Sequence, residues 1–307
     1  SRCYESVTGK FVNILIAGGT GFLGSALTAS LHADGHRVSI LTRQKPRAAN
    51  HIHWDGQTTE GWGQIVNEMD AVINVAGFSL DHGPWTQQRK RQFEDSRVLP
   101  ARALVSAVAS ADRRPGVYLQ TSGINYYGLR GDALADESTP PGDDFLSRLG
   151  VTWEEASQPL EQLGVRRVIC RSAVVLHKSK GLFPLMKLPV LLFFGGRFSD
   201  GRQAMPWIHI VDEINAMKFL LARKTASGAF NLISPAQTSN AEFMRGIAQF
   251  LRRPYWFHLP AFVLRMVLGE MSVLLTEGRY SQPKRLLELG FKFEYDTLEV
   301  ALANLSA

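Results

Sequence analysis

Short apolar runs alternate with longer stretches in which apolar residues return every three or four positions, and this pattern governs most of the chain up to residue 235. The runs at residues 12–17, 38–41, 51–54, 71–75, 117–121, 167–170 and 230–233 read as buried strands. Residues 22–33, 88–109, 152–163 and 212–222 between them carry helical spacing. Strands separated by helices generate a parallel sheet covered on both faces. The expected class is therefore α/β, a Rossmann-type doubly wound parallel sheet, and no internal repeat is visible.

After residue 170 the alternation weakens. Residues 181–206 are rich in Gly, Pro and large apolar side chains without a clear period. Further on, Asn240, Glu242, Phe243, Ile247 and Phe250 mark a helix with a capping-type start, followed by Pro-punctuated segments and an amphipathic helix near residues 297–305. The expectation is a smaller C-terminal substrate lobe over the open edge of the sheet, where such folds bind ligands. The boundaries read as 1–10 for a leader or tag remnant, 11–170 plus 208–235 for the nucleotide-binding domain, and 171–207 plus 236–307 for the lobe.

At 45% hydrophobic and 20% charged residues, the composition is that of an ordinary globular protein and sets aside disordered and disulfide-dense classes. A net charge of +6 and a pI near 9.4 suit an anionic partner, either a phosphorylated cofactor or a nucleic acid. The densest cluster, Arg89-Lys90-Arg91, lies in a polar run with no nucleic-acid motif beside it and reads as a solvated face. Two cysteines, Cys3 and Cys170, argue against a disulfide framework or a cysteine metal site and point to a reducing compartment. The apolar stretches 182–194 and 259–275 are broken by Lys187, Pro189, Arg265 and Glu270, which argues against a membrane span. With no apolar signal region in residues 1–9, the expected location is cytoplasmic. The expected partner is a small molecule, with neither nucleic acid nor membrane.

Chemistry enters at Gly18-Gly19-Thr20-Gly21-Phe22-Leu23-Gly24, which lies directly between the first strand and the first helix. Gly18 permits a tight turn, Gly21 removes a side chain where backbone approaches a pyrophosphate, and Gly24 lets the helix pack closely on the strand. The N–H groups opening the helix then face an anion. The second strand ends at Thr42 and Arg43, with Lys45 and Arg47 close behind. Cations stand where an acid would repel a 2′-phosphate, so NADP(H) is favoured over NAD(H).

With these residues the sequence resembles the short-chain dehydrogenase/reductase superfamily, and within it the extended, epimerase-like branch. The further matches are Asn74-Val75-Ala76-Gly77, Thr121-Ser122 with Tyr126-Tyr127-Gly128, and Pro206-Trp207-Ile208-His209-Ile210-Val211-Asp212. Ser96-Arg97, Arg171-Ser172-Ala173-Val174-Val175-Leu176 and the tail from Asn240 resemble an atypical subgroup, the division-inhibitor-like epimerase family proteins, most without an assigned substrate. The resemblance implies Thr42 and Arg43 at the 2′-phosphate, Val75 and Ala76 near the adenosine, Arg97 on a phosphate and Val174 near the nicotinamide. Gly18, Gly19, Thr20, Gly21, Phe22, Leu23, Gly77 and Thr121 complete the cofactor set it implies.

One departure stands out. Members of the extended branch carry a tyrosine and, four residues on, a lysine ahead of a helix that bears a glutamate. Counting back from Trp153-Glu154, that zone is residues 144–150, which has neither. A phenol needs a nearby cation to exchange its proton readily at neutral pH. Tyr126 or Tyr127 is either a substitute donor or a packing and substrate-wall residue, and the second reading is favoured. Ser122 either polarises a substrate oxygen or caps the strand end; with Tyr127 it forms the candidate catalytic pair. His209 can titrate near neutrality, although a satisfied core histidine is favoured. No spacing suits a metal. The leading expectation is an NADP(H)-binding oxidoreductase or epimerase-like protein, and the alternative is a non-catalytic NADPH sensor.

Overall fold

The computed structural model describes residues 12–81, 83–131 and 133–306, and the expected leader, residues 1–10, lies outside the described residues. The first half runs β1 (Asn13–Ala17), α1 (Phe22–Ala33), β2 (Arg37–Thr42), β3 (His51–His53), β4 (Ala71–Asn74), α2 (Gln87–Ala109) and β5 (Val117–Gly123). Then come α3 (Phe145–Glu155), α4 (Pro159–Gln162), β6 (Arg166–Ser172), β7 (Val174–Leu176), α5 (Phe183–Leu191) and β8 (Gly195–Phe198). The chain continues through β9 (Trp207–His209), α6 (Ile210–Ala222), β10 (Gly228–Leu232), α7 (Asn240–Phe250), β11 (Tyr255–Leu259) and α8 (Ala261–Leu268), with a last helix at Leu298–Ser306.

Seven strands form one sheet in the order β10-β6-β5-β4-β1-β2-β3, every neighbouring pair parallel. Alternation along each strand divides its side chains between two layers. Ile14 and Ile16 of β1 face a core with Leu27 and Leu31 of α1 and Met217 and Leu220 of α6. Leu15 and Ala17 face the other way, onto Ala103, Leu104 and Ala107 of α2 and Leu160 of α4. From β1 the chain builds outward to β2 and β3, then returns to lay β4, β5, β6 and β10 on the other side. The switch point between β1 and β4 opens the crevice where folds of this class receive ligands.

A separate core joins α5, α7, α8 and the last helix through Phe183, Met186, Val190, Phe243, Ile247, Leu264, Leu298 and Leu302. It rests on two short parallel pairs, β8 with β11 and β7 with β9. The aperiodic tract after residue 181 therefore contains a helix and a strand. Leu286 and Phe291, from the stretch expected in the lobe, instead sit in the core beneath α1 and α6.

One helix differs from its expected span. The pattern predicts a helix over 152–163, whereas the chain forms α3 from Phe145 and breaks after Glu155 before α4 begins. Asp144 starts it early: its side chain accepts the Ser147 N–H at 2.9 Å, satisfying a first-turn donor. Residues 145–150, read as a segment ahead of the helix, are thus its opening turns.

Candidate functional site

The loop between β1 and α1 stands at the switch point, and its glycines have distinct tasks. Gly18 has a φ of +84°, and a Cβ there would lie 2.8 Å from the Ala76 amide nitrogen. The turns after β1 and β4 are therefore in direct contact. At Gly24 a Cβ would fall 2.2 Å from the Gly18 carbonyl oxygen, so α1 lies against the loop. Gly21 is different: it is exposed, and the nearest neighbour of an added Cβ is the Gly18 oxygen at 3.3 Å. Its amide closes the turn onto that oxygen at 3.0 Å. Gly21 caps α1 without any side-chain bond to the first-turn amides, and no acid lies in that turn. The helix thus presents uncapped N–H groups and its positive end to the crevice.

The other cofactor candidates are distributed around this loop. Gly19 is buried against Ile40, Thr20 is exposed, and Phe22 and Leu23 are half-buried at the helix start. Thr42 is buried at the end of β2, where its hydroxyl accepts the Gln44 N–H at 3.2 Å. Arg43, Lys45 and Arg47 follow on the exposed turn. After β4, Ala76 donates its N–H to the Asn74 side-chain oxygen at 3.1 Å, and Phe78 donates to the Ser96 hydroxyl at 3.0 Å. These bonds fix the course of Val75, Ala76 and Gly77. Thr121, at the end of β5, donates to the Asn74 carbonyl at 3.3 Å. Val174 pairs with Trp207 at the junction with the lobe.

Arg97 is the unusual member. It is 8% exposed, its guanidinium carbon would be 3.6 Å from a Cβ on Gly77, and it lies over the Trp153 ring at 5.1 Å. One Nη donates to the Phe93 carbonyl at 2.9 Å, yet no carboxylate pairs with it among the described residues. Burial pushes its pKa down to about 10. A guanidinium out of water without a counter-charge is costly, and an anion arriving beside Gly77 would relieve that cost.

Ser122 and Tyr127 belong to a neighbouring buried network. Arg171 on β6 grips Glu154 on α3 with two bonds, Nε to Oε1 at 2.9 Å and Nη2 to Oε2 at 2.8 Å. Its remaining Nη1 donates to the Tyr127 hydroxyl at 2.8 Å, and its guanidinium lies 3.5 Å from the centre of the Tyr126 ring. Ser122 donates to Glu154 at 2.7 Å, and Tyr127 donates to the Asn231 side-chain oxygen at 2.7 Å. Burial pushes the Tyr127 phenol up to about 12 despite the adjacent Arg171 charge. Glu154, Arg171 and Asn231 were not foreseen as site residues. The available signal was an arginine inside an apolar strand, which requires a buried partner.

His209 is wholly buried, caps α6 by accepting the Val211 N–H at 3.3 Å, and stacks on Tyr295 at 3.8 Å. Burial lowers its pKa to about 4, so it stays neutral in a structural place. Beside it in sequence, Glu213 is fully buried and accepts one bond, from Ser172 at 2.6 Å. Burial raises its pKa to about 8. Because folding raises this acid's pKa, its contribution is complete below the unfolded value near 4.5 and is lost as pH rises through 8. Glu213→Gln is expected to flatten the fall in melting temperature between these limits; an unchanged pH profile would refute the assignment. Among the described residues no group of three or more His, Cys, Asp or Glu could hold a metal ion.

The chain is similar to known proteins. The model of the NAD dependent epimerase/dehydratase family matches residues 14–145, and that of a domain of unknown function, DUF1731, matches residues 259–305. An epimerase family protein of Mycobacterium leprae is 34% identical, over 94% of each chain. One from Bos taurus is 36% identical, over 96% of this chain and all of its own. The chain belongs to the epimerase family proteins of the short-chain dehydrogenase/reductase superfamily. The crystal structure of the human epimerase family protein SDR39U1 with NADPH superposes with a TM-score of 0.89 at 32% identity, covering 96% of this chain and 99% of that one.

Within this epimerase family protein, the helix that bears Glu154 carries no tyrosine and no lysine at all. Its Gly150 packs beside Tyr126, whose Cα and Cβ would lie at an ordinary contact distance of 3.6 Å from an added Cβ. The aromatic side chain that packs near Arg171 thus comes from the turn after β5, not from α3.

Proposed function

We propose that this protein binds NADPH in the crevice outside β1 and β4 and acts on a small molecule there as an oxidoreductase or epimerase-like enzyme. The observation that carries the reading is Arg97, a buried cation without a carboxylate partner, held beside Gly77. It and the uncapped N-terminus of α1 suit the two phosphates of a dinucleotide. Thr42 and Arg43 take the 2′-phosphate, Val75 and Ala76 the adenosine, and Val174 the nicotinamide side. The human relative crystallised with NADPH supports the choice of cofactor.

The bound cofactor supplies the hydride chemistry. The chain supplies orientation. Ser122 spends its proton on Glu154, so its oxygen lone pairs remain to accept from a substrate hydroxyl. Tyr127 is a positioning residue in this reading: a phenol raised to about 12 and bonded on both sides is poorly suited to moving protons.

Arg43→Ala is expected to weaken NADPH about 10- to 100-fold, the range of a charge-assisted phosphate contact, while leaving NADH nearly unchanged. Equal losses for both nucleotides in calorimetric titration would remove the 2′-phosphate assignment. Activity is tested by following NADPH oxidation against a panel of carbonyl compounds and nucleotide sugars. The same commitment of Ser122 and Tyr127 to buried partners favours a second reading, a non-catalytic NADPH sensor. Tight NADPH binding without turnover across the panel would favour the sensor over the enzyme.

A further inference from the structure

The lobe exposes far more apolar surface than its core requires. Leu185 and Leu188 of α5 and Leu192 at its C-terminal cap stand outward at three- and four-residue intervals, and the exposed stripe ends in Phe193 and Phe194. The Trp256 indole N–H donates to the Phe193 carbonyl at 3.0 Å, which joins β11 to that end. Beyond Trp256, His258 with Arg197, Pro260 and Ala261 line an open depression of about 600 Å³. Phe262, Met266 and Val267 of α8 follow. Trp256 is 66% exposed, Met266 78% and Val267 75%. Contiguous apolar surface of this kind marks a docking site.

Charge identifies the occupant. Residues 181–198 and 250–269 contain Lys187, Arg197, Arg252, Arg253 and Arg265, and no aspartate or glutamate; the depression is lined in addition by Asp200 and Arg202, so the face as a whole stays strongly cationic. We infer that this face docks the lobe onto an anionic phospholipid bilayer, with the leucines and aromatic rings entering the headgroup boundary and the cations meeting lipid phosphates. A second copy using the same face would set arginine against arginine, which opposes a symmetric dimer. No transmembrane span is needed, and among the described residues no helix is long and apolar enough to form one. The inference departs from the expectation of a protein without membrane contact. It is independent of the proposed cofactor chemistry.

The test is sedimentation of the full chain with vesicles of phosphatidylcholine alone or with about 30% phosphatidylglycerol. Binding is expected only to the anionic vesicles and should fall in about 0.5 M salt. A Trp256→Ser, Met266→Ser variant and an Arg252→Glu, Arg265→Glu variant should each lose at least about tenfold in partitioning, with NADPH binding retained. A second measurement needs no substitution. Of the six tryptophans, Trp54, Trp62, Trp85, Trp153 and Trp207 are buried, so quenching by brominated lipid would report on Trp256. Absence of both binding and quenching would overturn the inference. So would a dimer in light scattering that the Trp256→Ser, Met266→Ser change dissociates, since the face would then belong to another copy.

Discussion

Replacing Arg97 with methionine is expected to raise the melting temperature of the ligand-free protein while weakening NADPH about 10- to 100-fold. The two effects have one cause. In the free protein the guanidinium has left water for a place beside Gly77 and the Trp153 ring, with a backbone carbonyl as its main partner. Removing an uncompensated buried charge and keeping most of the side-chain volume recovers desolvation energy. The loss of the Phe93 bond and the ring contact offsets part of it. A net gain of about 1 kcal/mol, or about 1.5 °C for a chain of this length, is expected. With ligand present the order reverses. NADPH at a hundredfold excess over its Kd should stabilise the unsubstituted protein by about 2.7 kcal/mol, and the same concentration should stabilise the variant by only about 0.4 to 1.4 kcal/mol. Arg97→Lys separates charge from geometry, because a point charge keeps attraction but loses the planar fork. Thermal unfolding with and without NADPH, paired with titration calorimetry, decides the matter. A methionine variant that binds NADPH normally would show that Arg97 serves the fold alone.

The sheet was legible because its strands are short, buried on both faces and separated by helices of ordinary period. Residues 12–17, for example, are apolar except for Asn13, as a strand covered on both sides must be. The glycine loop was equally plain, since Gly18 and Gly24 stand where backbone atoms leave no room for a side chain. The lobe was less legible for a physical reason. In α5 the buried Phe183, Met186 and Val190 alternate with exposed leucines, so apolar residues face inward and outward alike and no period survives. The early start of α3 depended on the side chain of Asp144, a local cap that hydrophobic spacing does not record. Most hidden was the network around Arg171. Its partners lie on α3, in the turn after β5 and on β10, and only the order of strands in the folded sheet brings them together.

That network is the basis of the largest expected loss of stability. Arg171→Met should cost about 3 to 5 kcal/mol, because Glu154 would remain buried with its charge uncompensated and the Tyr127 hydroxyl would lose a donor. Glu154→Leu should cost a similar amount from the opposite side, leaving Arg171 and the Ser122 proton without their acceptor. The double variant is the informative one. With both charges gone, the ionic part of each penalty disappears, and the remaining cost is that of the freed hydroxyls and altered packing, about 1 to 3 kcal/mol. The combined loss should therefore be smaller than either single loss, a coupling measurable by urea unfolding of the four proteins. Additive losses would mean that water or backbone, not the partner, satisfies each charge. Ser122→Ala in the otherwise unsubstituted protein distinguishes orientation from support: losing the bond to Glu154 should cost about 1.5 to 3 kcal/mol, less than removing either charge, while lowering any turnover found, because that bond directs the hydroxyl oxygen.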